Sequence, residues 1–218
     1  MARKTYLELV NEVLVMLREE EVASVSINTY SKLIGKIVND AKKTVENSYG
    51  WNALSETISV STVADTFSYS LVGTHPNFRV MDVICVTEDI TLRPATTHKM
   101  NMWLLSVNRQ KGEPRYYNFN GADTNGDTVV DLYPIPDTTY TVNFNIVNPQ
   151  DDLINDSDTI IVPSDPVIAL AYAKALVERG EDGGLNSSEA YAIYKGILAD
   201  SIAIESSRYL EEAAFIPV

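Results

Sequence analysis

The chain has 218 residues, of which 45% are hydrophobic, and its formal net charge is −13. A chain of this length and composition can bury a full core and form one or two domains. Residues 150–218 hold thirteen acidic and four basic side chains, and therefore most of the excess negative charge. This balance argues against a protein that grips nucleic acid by neutralising phosphates, because that function requires clustered Lys and Arg.

Sequence motifs exclude several other classes. No apolar run approaches the ~20 residues that span a bilayer, and no signal-peptide pattern follows Met1, so we expect synthesis in a reducing compartment and no contact with a membrane. The only cysteine, Cys85, lies in an apolar run and is expected to be a buried core residue rather than a nucleophile. We find no Gly-rich phosphate loop, no Gly-x-Ser-x-Gly elbow and no His-Glu-x-x-His motif, and therefore predict no catalytic residue and no cofactor.

Two helices are predicted before residue 50. Thr5 and Glu8 fit a capping box at the start of the first helix, which should end near residues 19–21 because the helix dipole disfavours their negative charge there. The second helix should run from about Thr29 to Gly50. Its lysines are interpreted as a solvated face, with a DNA-binding patch as the alternative; they are Lys32, Lys36, Lys42 and Lys43. Trp51 should pack under the end of this helix.

The middle of the chain has the alternating apolar pattern of β-strands. Residues 55–63 and 66–71 predict a hairpin that turns at Ala64-Asp65, and residues 78–87 predict a buried strand. Three runs within residues 113–147 predict consecutive antiparallel strands.

A short helix is predicted over residues 97–107, with Met100, Leu104 and Val107 on one stripe that suits core packing. His75 should be exposed in a loop. Neither His75 nor His98 has a second His or Cys at ligand spacing, so a zinc site is not expected.

Oxygen-bearing side chains alternate from Asp123 to Asp131, as in a calcium loop. The glycine is misplaced for such a loop, and Pro134 stands where the bidentate Glu should be. Asn125-Gly126 is instead typical of a two-residue hairpin turn, which we prefer, and we predict no metal site.

Two further helices are predicted near the C-terminus. Pro163-Ser-Asp-Pro166 combines a capping side chain with a proline in the first turn of a helix that runs to Gly180. Asn186 should cap the last helix, over residues 187–212, with Tyr191, Tyr194, Ile197, Leu198, Ser201, Ile204 and Arg208 on one side. The apolar segment 213–218 is expected to bind a neighbour or a core groove.

These elements predict an α+β fold in which the N-terminal and C-terminal helices form a helical bundle and an antiparallel β domain is inserted between them. The expected division is residues 1–50 for the N-terminal helices, 51–162 for the β domain with a short helix, and 163–218 for the C-terminal helices and extension.

The order of these parts resembles the head-to-tail adaptor proteins of short-tailed bacteriophages, of the tail tubular protein A type, also called gatekeepers or connectors. The resemblance covers nearly the whole chain and includes Trp51 and Leu54 before the strands, Pro114-Arg-Tyr-Tyr, and Val162-Pro-Ser-Asp-Pro. Its most specific motif is Leu132-Tyr-Pro-Ile-Pro-Asp. Ser70-Leu71 departs from the family, which often has Leu-Pro there.

The resemblance implies a structural virion protein of the tail or neck that is assembled in the host cytoplasm and is not an enzyme. Family members form a dodecameric ring that joins the portal protein to the tail nozzle and lets the double-stranded DNA genome pass through its lumen without sequence-specific binding. Their C-terminal extension grips the portal. The residues expected to bind the portal here are Tyr209, Phe215, Ile216 and Val218.

Two alternatives stay open. Twelve tyrosines, several of them in the β region, would suit a receptor- or glycan-binding virion protein, although tyrosine is also an ordinary strand residue. A metal-dependent hydrolase would use the carboxylates between Asp123 and Asp131.

Overall fold

The β region is inserted between two helical segments. The computed structural model describes residues 3–180 and 185–208. It groups residues 1–53 with 151–218 as one unit, called here the helical unit, and residues 54–150 as a second, the β unit. Two sheets in the inserted region, with helices before and after them, confirm the predicted α+β fold.

Five helices and eight strands lie within the described residues. The helices are α1 (Tyr6–Met16), α2 (Thr29–Ser48), α3 (Thr97–Leu104), α4 (Ser164–Arg179) and α5 (Leu185–Ser206). The strands are β1 (Ser55–Ser61), β2 (Ser68–Leu71), β3 (Arg79–Cys85), β4 (Ile90–Thr91), β5 (Arg93–Pro94), β6 (Tyr116–Ala122), β7 (Thr128–Tyr133) and β8 (Thr141–Val147).

Local side-chain contacts set the ends of α1 and α2. The Thr5 hydroxyl accepts from the amide of Glu8 at 3.3 Å, and the Glu8 carboxylate accepts from the amide of Thr5 at 2.7 Å, which confirms the capping box. Asn28 caps α2 in the same way, a contact that the sequence analysis missed. After α2, the Trp51 indole donates to the carbonyl of Val45 at 2.8 Å, so Trp51 closes the helix end as predicted.

Helix α4 is the centre of the helical unit. It packs against α1, α2 and α5, and buries eight residues, Pro166 to Ala171, Ala173 and Ala175. The predicted side-chain cap is wrong, because Pro163 occupies the cap position and no side chain bonds there. The predicted end at Gly180 is confirmed, with Gly180 in the left-handed conformation at φ 62°.

One predicted surface lysine is buried. Lys42 and Glu46 lie one turn apart on α2 with side chains 0% and 1% exposed, and the Lys42 amine is 3.2 Å from Glu46 Oε1. The solvated-face interpretation is therefore wrong for Lys42, whereas Lys32, Lys36 and Lys43 are exposed. A charge at a buried helix position is tolerated because its partner lies at i+4 on the same side.

The β unit consists of two four-stranded sheets, with strand orders β1-β8-β3-β4 and β2-β7-β6-β5. All strand pairs are antiparallel except β5 and β6. The sheets share one core, whose buried members are Val60, Leu71, Val83, Cys85, Leu92, Tyr117, Val130, Leu132, Tyr140, Val142, Phe144 and Ile146. The prediction that Cys85 is buried is confirmed.

Two predicted strand pairings are wrong. β1 and β2 do not form a hairpin, because β1 pairs with β8 and β2 pairs with β7. β6 and β7 do form a hairpin, but β8 crosses to the other sheet. Pro134 and Pro136 follow directly after β7. Because proline lacks an amide hydrogen, it cannot donate a hydrogen bond to a neighbouring strand, and the strand pairing of β7 ends there.

Helix α3 covers the outer face of the second sheet. Met100 and Leu104 are buried against Tyr133 and Ile135. Trp103 stacks on Tyr133 with ring centres 4.7 Å apart. The helix ends at Leu104 and Val107 is 98% exposed, so the prediction that Val107 belongs to the buried stripe is wrong.

We expect Glu46→Ala to lower the free energy of unfolding by about 3–5 kcal/mol, because it leaves the Lys42 ammonium buried without this carboxylate. Replacing both residues, Lys42→Met with Glu46→Leu, should cost far less, since no charge then remains buried. Urea unfolding followed by circular dichroism measures both changes.

The matched control is Glu12→Ala, which removes the partially exposed Lys4–Glu12 pair of the same unit. That change should cost about 1 kcal/mol or less. Equal losses for Glu46→Ala and Glu12→Ala would contradict the role assigned to burial.

Candidate assembly surfaces

Within the described residues, helix α5 is buried along one side. Its buried residues lie on one stripe, and the helix packs against α4; they are Ser187, Ala190, Tyr194 and Glu205. The residues predicted to share one side of the helix lie around buried Tyr194, and Tyr191, Ile204 and Arg208 at the edges of that side are exposed. Asn186 lies inside the first turn of α5 rather than before it.

Apolar residues also occupy the open side of α5. Ile193 and Ile204 are 58% and 59% exposed. At 100° per residue they share one flank with Glu189 and Asp200, because the four positions are separated by four, seven and four residues. We call Glu189, Ile193, Asp200 and Ile204 the acidic flank of α5. A helix with apolar residues on both sides is typical of one that is covered on both sides.

Gly196 lies beside this flank in the middle of α5. A Cβ atom at Gly196 would meet no atom within 4 Å, so nothing in the described part of the subunit requires a glycine there. Glycine inside a helix costs roughly 0.5–1 kcal/mol relative to alanine. The missing side chain at Gly196 would, however, let the backbone of another chain approach the helix closely at this point.

The C-terminal end of α5 is held to the segment after α2. The Glu205 carboxylate accepts from the amide of Asn52 at 3.0 Å and pairs with Arg208 at 2.9 Å. Arg208 also lines a groove of about 840 Å³ whose apolar members include Trp51 and Ile160. The predicted portal-binding residues Tyr209, Phe215, Ile216 and Val218 lie outside the described residues.

Four loops meet at one end of the β unit, which we call its far end. They cover residues 62–67, 86–89, 105–112 and 134–140. Main-chain bonds connect them: Thr62 donates to Tyr140, Asp65 to Pro136 and Gly112 to Ile135. This end is opposite to residues 54 and 150, where the chain enters and leaves the unit.

The far end of the β unit is unusually apolar for an exposed loop surface. Val63, Val86, Leu105 and Val107 are all exposed there, Leu105 to 79%. The same end of the β unit has a charged depression of about 420 Å³ lined by Glu88, Lys111, Glu113, Arg115, Asp137 and Tyr140, among others. Exposed apolar side chains close to charged groups are typical of protein-binding surfaces.

Tyr140 and Asp137 give this depression a fixed polar contact. The Tyr140 hydroxyl donates to Asp137 at 2.7 Å, and this hydrogen bond to a carboxylate raises the pKa of Tyr140 to about 12. The tyrosine therefore stays protonated at physiological pH.

The tyrosines of the β unit do not form a contact surface. Tyr117, Tyr133 and Tyr140 are buried, and Tyr69 and Tyr116 are half-buried. They fill the core and the space beneath α3. The tyrosine count therefore does not support the receptor- or glycan-binding alternative.

The carboxylates between Asp123 and Asp131 serve separate parts of the fold. Asp123 Oδ1 accepts from the amides of Asn125 and Asp127 at 2.8 and 3.0 Å. A hydrogen bond from Ser70, with those of the turn amides, holds the pKa of Asp123 below its ordinary value. Asp127 accepts from Gly73, and buried Asp131 accepts from Asn120. The β6–β7 hairpin is confirmed, but its turn is longer than the predicted two residues, because the Asp123 amide donates to the Asp127 carbonyl at 2.9 Å and leaves residues 124–126 between them. The described residues contain no cluster of His, Cys, Asp and Glu suited to a metal ion.

The histidines are not placed together. His98 is exposed on α3. His75 is half-buried rather than exposed, because its backbone amide donates to Asn148 and its ring accepts from the amide of Asn77. Among the helices in the described residues, none combines the length and apolarity that crossing a membrane requires.

Sequence reasoning missed two features of these surfaces. A helical pattern that includes Ile193 and Ile204 does not tell which apolar residues face α4, since apolar residues surround the helix. The far end of the β unit is built from four segments separated in sequence, and only the cross-sheet pairing brings them together.

The comparisons with known proteins agree with a structural role. Residues 4–213 match the family model described as SU10 adaptor protein. The match extends over both units and includes every element of the fold. No curated protein matches the chain significantly.

We expect Gly126→Ala to destabilise the isolated subunit by about 1 kcal/mol or more, because Gly126 closes the β6–β7 turn with a φ of 92°. The effect should not depend on calcium, since the turn is held by amides and not by a metal. Thermal unfolding with and without calcium measures both points.

Gly196→Ala is the matched control, because it also adds a methyl group in open space but in regular helix. It should stabilise the isolated subunit by roughly 0.5–1 kcal/mol. A calcium-dependent rise in the melting temperature that Asp123→Asn removes would support the calcium loop instead.

Proposed function

This chain belongs to the SU10 adaptor protein family, and we propose that it works as a head-to-tail adaptor of the tail tubular protein A type, in a ring of twelve copies. Membership confirms the predicted class, a bacteriophage structural adaptor and virion component. The proposal goes beyond family membership in four respects: the ring, its protein partners, the passage of DNA through the ring, and the assignment to a short-tailed phage.

The proposal rests on one combined observation. The family match covers the whole fold, and each unit also has an exposed apolar surface. An adaptor must bind several proteins at once, which requires more than one protein-binding surface on each copy. The acidic flank of α5 and the far end of the β unit are two such surfaces, built from different segments.

The ring would join the portal protein to the tail nozzle. In this arrangement the C-terminal extension grips the portal through Tyr209, Phe215, Ile216 and Val218, whose apolar bodies suit a groove on a partner. The far end of the β unit faces the nozzle, and its exposed valines and Leu105 supply the apolar contact.

The proposed role requires no bond-making or bond-breaking. An adaptor acts through surfaces, and the carboxylates considered for hydrolysis stabilise the β6–β7 hairpin and the adjacent strands. We infer that the chain has no enzymatic activity.

We expect part of the acidic charge of residues 150–218 to line the lumen of the ring, because a negative wall repels DNA phosphates and lets the genome slide. A structure of the assembled ring would show the sign of the charge on the wall. A wall lined by lysine and arginine would contradict this expectation.

We expect deletion of residues 213–218 to weaken attachment to the portal by at least about tenfold, equivalent to about 1.4 kcal/mol, because Phe215 and Ile216 would lose their apolar contact. The truncated subunit should keep its circular dichroism spectrum. Pull-down with purified portal, together with electron microscopy of the mixture, measures attachment.

Val107→Ser is the matched control, since it removes an exposed apolar residue from the β unit. It should leave portal attachment unchanged and weaken binding to the nozzle. If the truncated chain assembled with the portal as well as the full chain, the role of the extension would be wrong.

A further inference from the structure

We propose that the acidic flank of α5 in one copy packs into a basic depression on α2 of the neighbouring copy, and that this contact joins subunits in the ring. This inference rests on the proposed function, because it names the surface between copies. It concerns only residues of the helical unit, so both partner surfaces are present on every copy.

The acidic flank has no partner within the described residues. Neither the Glu189 nor the Asp200 carboxylate forms an ion pair there, and the flank's two isoleucines, Ile193 and Ile204, are more than half exposed. Gly196 allows another backbone to come close beside them, as there is open space where its Cβ would lie. The flank therefore combines apolar area, negative charge and a point of close approach.

The basic depression lies on a different face of the same unit. It has a volume of about 550 Å³ and is lined by residues from α2, the segment before it and residues 152–156, with none from α5. Lys32 and Lys36 stand one turn apart on its rim. Neither amine forms an ion pair in the described part of the chain, and Ile154 beside them is 79% exposed.

The two surfaces are complementary in charge and in apolar character. Lys32 and Lys36 lie about 6 Å apart along α2 and can meet Glu189 or Asp200, while Ile154 can meet Ile193 or Ile204. Each of these groups would exchange exposure to water for a partner of the matching type.

The geometry points to a copy of this chain rather than to DNA. Asp152 and Asp156 also line the depression, but Asp152 is paired with Lys43 at 2.9 Å and Asp156 accepts from the amide of Val25, so among the described residues the lining charges that lack an ion pair or hydrogen bond are the two lysines. The exposed Ile154 beside them suits an apolar protein side chain better than a phosphate backbone. Because the flank and the depression are different surfaces, their contact is heterologous, which is the type that closes into a ring when the rotation between copies permits.

Charge reversal tests the contact with the full chain, mixed with purified portal. Lys32→Glu with Lys36→Glu, or Glu189→Lys with Asp200→Lys, should raise the concentration for half-assembly by about tenfold or more, because attraction becomes repulsion. Combining all four changes should restore assembly. Native mass spectrometry and electron microscopy at low and high salt give the subunit number.

Gly196→Leu provides a test that does not depend on charge. Leucine favours helix over glycine and meets open space in the subunit, so the variant should fold at least as stably as the wild type. It should nevertheless block the close approach and reduce ring formation.

Lys195→Glu is the matched control, because Lys195 lies on the opposite flank of α5, over the ring of Tyr191. It should leave assembly unchanged. If the two double reversals assembled as well as the wild type, or if the quadruple variant failed to recover, the assigned surfaces would be wrong while the adaptor proposal stood. If the wild-type chain formed no ring with or without portal, the proposed function itself would fail.

Discussion

The antiparallel pairing of β1 with β8 is the constraint on which the rest of the structure depends. The register places Ser55 beside Val147, so the inserted β unit begins and ends at neighbouring positions. The segments before and after the insertion can therefore belong to one helical unit, in which α4 packs between α1, α2 and α5. Without this pairing, the two ends of the β unit would lie far apart. Bringing the helices before and after the insertion together around α4 would then cost more conformational entropy.

This constraint explains which parts of the fold could be predicted from sequence. Helix ends depend on contacts within a few residues, such as Thr5 with Glu8, and a capping pattern shows them directly. Strand partners depend on pairing between distant residues, and period-two alternation is the same whichever strand lies alongside. The predicted hairpin at Ala64-Asp65 failed for this reason: the segment after β1 bonds to residues 136–140, far along the chain.

Burial of charge shows the same limit within a helix. On sequence, Lys42 and Lys43 are equivalent members of a lysine-rich face, yet one is buried beside Glu46 and the other forms an exposed pair with Asp152. The difference arises from 100° of rotation around α2 and from the elements packed against it. The only sign in the sequence is a carboxylate at i+4, and such pairs also occur on solvated helix faces. The residues predicted to bind the portal lie outside the described residues and stay predictions.

The remaining exposed apolar residues are informative because the fold itself does not need them. A two-sheet core and a buried α4 supply the stability of a subunit, whereas Ile193, Leu105 and Val107 add nothing to either core. Exposed apolar area of this kind raises the risk of aggregation unless a partner covers it. In the proposed ring this cost would be offset, because the same residues that are unfavourable in water would become favourable contacts between chains. The surfaces proposed for assembly are therefore local exceptions to ordinary patterning, because an isolated subunit gains no stability from their exposed apolar residues.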